Sequence, residues 1–85
     1  MKQPPEFFKD AELALVYIAK RLKEALAIED AFAAAELDYL VEPDRYSGGI
    51  IFMTERIGAF FYVLPDKEAE ARAILSAHGF KPHLK

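Results

Sequence analysis

The run Ile57 to Leu64, IGAFFYVL, limits the possible folds more than any other stretch of this chain. It holds three of the eleven aromatic residues, Phe60, Phe61 and Tyr62, and no charge. Glu55-Arg56 precede it and Pro65-Asp66 end it. Eight apolar positions between polar stops are too few for a stable helix. They fit a strand kept from water on both faces. The aromatic and β-branched content points the same way.

Eighty-five residues make one domain with a thin core, because folding at this size hides only about 60 % of the unfolded surface. The chain is 53 % apolar and 29 % charged, too apolar for disorder. With no cysteine, disulfides, thiolate metal sites and thiol catalysis are excluded, and the redox compartment stays open. The net charge of −3 opposes nonspecific attachment to nucleic acid or an anionic membrane, although a local basic patch remains compatible with it. The early apolar run Leu13 to Ala19 follows an acidic residue and lacks a basic leader. It is far short of the roughly 20 residues that span a bilayer. A cytoplasmic protein without membrane contact is expected.

Taken in order, residues 1–10 read as an arm. Pro4-Pro5 block helix and favour extended backbone, and Phe7-Phe8 either fold back onto the domain or form a partner-binding motif. Residues 11–85 read as a single domain. Glu12 to Ala19 is a first strand, apolar at both parities: Leu13, Leu15, Tyr17 and Ala19 on one, Ala14, Val16 and Ile18 on the other. An amphipathic helix is the rival reading there. Leu22 to Glu36 is a helix whose buried stripe is Ala25, Ile28, Phe32 and Ala35. A strand from Tyr39 to Glu42 stops at Pro43-Asp44, and PDRYSGG over 43–49 is turn chemistry. Ile50 to Thr54 reads as a short strand, with Glu55-Arg56 a tight turn or bulge before the aromatic strand. A second helix from about Asp66 to His78 is capped by Asp66, with Gly79 at the left-handed C′ position and Phe80 packing on Leu75. Lys81 to Lys85 offers one more edge strand. The order β-α-β-β-α(-β) predicts an α+β ferredoxin-like sandwich, an antiparallel sheet with two helices on one face.

The passages VYIA, Glu24-Ala25, AAAELDYLVE and VLPDKEAEARAILSAHGF together resemble the small prokaryotic signal-transducing proteins of uncharacterised function, whose fold is PII-like. The similarity covers roughly residues 13–80. It implies a regulatory or partner-binding role. Members of the family carry Gly near the position of Glu36, before an aliphatic residue matching Leu37, so here that turn is expected to close differently. PII proteins bind nucleotide and carry a long loop between the second and third strands, and residues 43–56 match that loop in place. No residue here matches the nucleotide contacts, so nucleotide binding does not carry over and no cofactor is expected.

Both parities of the first and aromatic strands are apolar, while the helices cover one face. The other face, drawn from Tyr17, Phe60, Phe61, Tyr62 and Val63, is then too apolar for a monomer, and a homo-oligomer joined through the sheet is expected. The alternative is that the arm with Phe7-Phe8 covers it. RNA-recognition domains share this topology and display aromatics there. Of their octapeptide pattern, RIGAFFYV matches at Arg56, Ala59 and Phe60 and fails at Ile57, Gly58, Phe61 and Val63. Nucleic acid is therefore a minor alternative.

Arg45, Tyr46, Ser47, Gly48 and Gly49 form the Gly-rich loop, and with Arg56 they are the candidate ligand or partner contacts. The bland reading is a mobile hairpin tip. His78 and His83 straddle a glycine and do not share a helix face, so no metal site is expected. Glu42 and Glu55 are the best-placed acid–base pair in a chain with thin catalytic material. The expected function is a non-enzymatic regulatory binding module with an unnamed protein or small-molecule partner. An RNA-binding domain and a small ligand-dependent enzyme or metabolite sensor are the alternatives.

Overall fold

The computed structural model describes residues 1–9, 11–48 and 54–82. They form an α+β fold: α1 (Pro5–Phe8), β1 (Ala14–Ala19), α2 (Leu22–Ala34), β2 (Leu40–Gly48), β3 (Thr54–Val63) and α3 (Glu68–Ala77). The three strands make one antiparallel sheet in the order β1-β3-β2. The aromatic run thus lies in the central strand, where its apolar content belongs.

The helix side of the sheet holds the core. Phe61 and Val63 of β3 are fully buried with Val16, Ile28, Phe32, Ala71 and Leu75. Phe32, Tyr39 and Phe61 form an aromatic triangle with centroids 5.3 to 6.1 Å apart. Such pairs add about 0.5–1.5 kcal/mol each beyond area burial. On α2, Ala25, Ile28 and Phe32 are buried as their spacing predicts, and Ala31 joins them. Ala35 does not, because it is already the C-cap and exposed.

The structure corrects several sequence expectations. β1 does not keep strict alternation. Its register against β3 slips between Leu15 and Tyr17, so Val16 is an extra residue. Val16 lies in the helix-side core and Tyr17 packs against it, with Phe80 edge-on at 5.7 Å. Leu15 and Ile18, opposite Tyr62 and Phe60, take the other face.

β2 does not stop at Pro43-Asp44 but runs to Gly48. Tyr39 sends its N–H and C=O outward, to the Met1 carbonyl at 3.1 Å and the Gln3 N–H at 2.8 Å. Two-residue alternation turns Val41 and Pro43 outward as well. The N–H that proline lacks is therefore one that β3 never needed. Glu55-Arg56 form no turn or bulge either. β3 runs unbroken through them, in regular register from Leu40↔Tyr62 to Gly48↔Thr54. The expected strand Ile50 to Thr54 falls, up to Thr54, outside the described residues.

The arm is extended only as far as Pro4. Pro5 is the first residue of a short helix, where its missing N–H costs nothing. Before it, Lys2 bridges Tyr39 in parallel at the outer edge of β2. The arm then passes to the start of β1 at the opposite sheet edge. Phe8 is buried and Phe7 half exposed, their rings edge-on at 5.0 Å. Leu40 and Phe60 are buried on the face turned from α2 and α3.

Both long helices end in the same motif. In α3, Gly79 has φ +82, its N–H reaches Ser76 O at 3.1 Å and the Phe80 N–H reaches Leu75 O at 2.8 Å. In α2, Glu36 has φ +54, its N–H reaches Ala33 O and the Leu37 N–H reaches Phe32 O, both at 3.0 Å. These are two Schellman caps. The α2 turn closes as a glycine would close it, contrary to expectation. Asp66 caps nothing: Pro65–Lys67 is a 3-10 turn, and no side-chain bond caps α3. No strand is formed by Lys81 or Pro82, and residues 83–85 lie outside the described residues.

Candidate functional site

The structure does not gather the hairpin candidates into a loop. Arg45, Tyr46, Ser47 and Gly48 are successive rungs of β2, opposite Ile57, Arg56, Glu55 and Thr54. Tyr46, Ser47, Gly48 and Arg56 are placed by backbone alone, and Gly49 lies outside the described residues. Arg45 is exposed, and its backbone N–H is held by the Asp44 carboxylate at 2.7 Å.

The proposed oligomer face also divides. Phe61 and Val63 are core under the helices, and Tyr17, half-buried, packs on that same side, so the three do not share a face with Phe60 and Tyr62. Phe60 is buried on the other face and Tyr62 is half-buried there. Burial first, then the charges of Asp44 and Glu42, raises the Tyr62 hydroxyl pKa.

Glu42 and Glu55 are not an acid–base pair. Glu42 stands opposite Phe60 and Glu55 opposite Ser47. Five rungs separate their backbone positions, roughly 17 Å at the ordinary strand rise. His78 is the exposed C-cap of α3, with its backbone N–H on the Ile74 and Leu75 carbonyls. His83 lies outside the described residues. Among the described residues, no three His, Asp or Glu side chains are grouped to hold a metal ion.

What the fold does assemble is a groove of about 340 Å³ between the start of α2 and the β2–β3 ladder. Its floor and walls are Ala19, Leu22, Ala25, Val41, Ile57 and Ala59. Lys2, Lys20 and Arg21 stand around it. Three of the chain's exposed large apolar side chains lie at or beside it: Ile57 at 71 %, Leu22 at 74 % and Leu26 at 52 % exposure. Leu22 and Leu26, four apart, share one flank of α2. Glu29, seven from Leu22, continues that flank, and Lys2 Nζ lies 3.8 Å from its Oε1. The same carboxylate oxygen accepts the Tyr39 hydroxyl at 3.1 Å. Glu24 reaches back to the Lys20 N–H at 3.1 Å and fixes the turn into α2.

The sequence reading missed this groove, whose lining comes from four separated segments. One local signal exists. Leu22 and Leu26 lie off the buried stripe of their own helix, directly after Lys20-Arg21.

The chain matches no protein-family model, no curated protein and no solved structure. Its functional reading therefore rests on its own geometry. No helix of the described residues is long and apolar enough to cross a membrane.

Proposed function

We propose that this chain is a non-enzymatic, cytoplasmic regulatory binding module. Its β-α-β-β-α order supports a ferredoxin-like sandwich, in keeping with the PII-like resemblance. The groove beside α2 is its recognition surface, and the partner is an acidic, amphipathic segment of another protein. One observation carries this reading. An apolar floor with exposed Leu22 and Ile57 is ringed by Lys2, Lys20 and Arg21 on a chain of net charge −3. Aliphatic side chains would fill the floor and carboxylates would meet the rim, each component weak alone and selective together. The aromatic face gives less support to RNA binding. Phe61 is core, Phe60 is covered, and Tyr62 sits near Asp44 and Glu42, which repel phosphate.

The test is an NMR titration with an acetylated hexapeptide alternating leucine and glutamate. The same peptide with lysine for glutamate, and a six-nucleotide single-stranded RNA, serve as comparisons. The acidic peptide is expected to shift the amides of Lys20, Arg21, Leu22 and Ala59, and Ile57→Glu to weaken it roughly tenfold. Equal response to the lysine peptide, or no response at these amides, defeats the reading. Preference for RNA transfers the groove to nucleic acid.

A further inference from the structure

The flank of α2 that carries Leu22 borders the groove. The opposite flank carries Lys23, Glu24 and Ala27, three and four residues apart, and faces Phe80. Between them lies a separate cleft of about 250 Å³, whose lining Arg21 completes. Phe80 is placed there by the α3 cap. Its N–H is held by the Leu75 carbonyl at 2.8 Å, and its ring rests edge-on against Tyr17 at 5.7 Å. The ring nevertheless remains half-buried. The cleft is lined almost wholly by apolar atoms. These come from the Phe80 ring, the Ala27 methyl and the aliphatic stems of Arg21, Lys23 and Glu24, side chains that bury their stems and keep their charged ends in water.

The charges at the cleft say what fits it. Arg21 and Lys23 are exposed, and among the described residues neither side chain has an ion-pair partner. Glu24, the one carboxylate of the cleft, is engaged within the fold: it holds the Lys20 N–H at 3.1 Å and lies beside the Tyr17 hydroxyl. Two cationic ends therefore stand over an apolar slot, on a chain whose net charge is −3. An amine would meet Arg21 and Lys23 with like charge, and an inorganic anion would leave the walls unfilled. The volume is below the roughly 300–1,000 Å³ of drug-sized sites, so the slot admits a single ring with a short tail. A ring can pack offset or edge-on against Phe80 while its carboxylate reaches the cations. We infer that this cleft is a second binding site and that its ligand is a small aromatic carboxylate. The site stands apart from the groove: Lys23, Glu24, Ala27 and Phe80 take no part there, and Arg21 alone borders both.

The experiment is an NMR titration of the full chain with hydrocinnamate. Hydrocinnamyl alcohol, which keeps the ring without the charge, and propionate, which keeps the charge without the ring, are the comparisons. Hydrocinnamate is expected to shift the amides of Lys23, Glu24, Ala27 and Phe80 and to saturate at roughly 1–10 mM, the range for a ligand of its size. Both comparisons are expected to bind more weakly. Ala27→Leu fills the cleft from an exposed position with a good helix former, and is expected to abolish the shifts. Lys23→Glu is expected to weaken hydrocinnamate about fivefold and to leave the alcohol unchanged. Unchanged urea midpoints show that both variants keep the fold. No saturable shift in the unaltered chain overturns the inference, and so does binding that survives Ala27→Leu. Equal binding of carboxylate and alcohol overturns the assignment of the ligand. Shifts confined to Leu22 and Ala59 put the ring in the groove and overturn the second site.

Discussion

Glu36 holds a left-handed backbone that glycine adopts at no steric cost. Its counterpart in α3 is Gly79, where an added Cβ meets nothing within 4 Å. The two caps therefore isolate backbone conformation from packing. Glu36→Gly is expected to raise stability by about 0.5–1 kcal/mol, and Gly79→Ala to lower it by about 1 kcal/mol, read from urea midpoints. Equal and opposite results would tie both to φ, whereas a loss at Glu36→Gly would show that the glutamate contributes something the cap geometry omits. The α3 cap was legible because its glycine and the Leu75–Phe80 pair lie within five residues. The α2 cap was not, because its marker residue is absent while the geometry persists. The tyrosines add a pH dependence. Burial, then the neighbouring Glu24 carboxylate, pushes the Tyr17 hydroxyl up to about 12. Burial, then Glu29, raises Tyr39 further. In the unfolded chain both titrate near about 10, so the unfolded state loses its protons first as pH rises. Their contribution is complete below pH 10 and declines from there to about 12 and beyond. Urea midpoints from pH 8 to 12 should fall, and Tyr17→Phe should flatten that fall. An unchanged slope would remove Tyr17 from the account.

Among the elements, β3 and the two long helices were readable because hydrophobic period and length decide them. The strand boundaries were not. Pro43 reads as a stop only if its missing N–H faces a neighbour, and that depends on which edge of the sheet β2 occupies. The slip at Val16 is equally hidden, since register belongs to a pair of strands and not to one. It moved Tyr17 to the helix side and left Leu15 and Ile18 on the other. The arm divides at its prolines: Pro4 is extended, as expected, while Pro5 opens a helix, where the N–H it lacks would have had no partner. Phe8 is its anchor. Phe8→Ala should cost about 1.5–3 kcal/mol, the value of one buried aromatic. Phe7→Ala should stay within about 0.5 kcal/mol, because that ring is half in water. Similar costs for the two would show that the arm does not dock through Phe8.

For the molecule as a whole, the candidate site was the least legible feature, because no window of sequence contains it. Lys2, Ala19 to Leu22 with Ala25, Val41 with Pro43, and Ile57 to Ala59 meet only after the sheet has ordered its strands. The hairpin, marked by Gly and Ser, proved to be ladder over its described length. That same strand order sets a timetable for synthesis. Among the described residues β1 and β2 are not neighbours, and each pairs along its length with β3, which follows both in the chain. A nascent chain that has completed Leu40 must wait for Val63, roughly 1–5 s at 5–20 residues per second, before β3 is whole. Until then α2 presents Ala25, Ile28 and Phe32 with no sheet beneath them, and the ribosome-bound chain is a substrate for whatever chaperone meets it first.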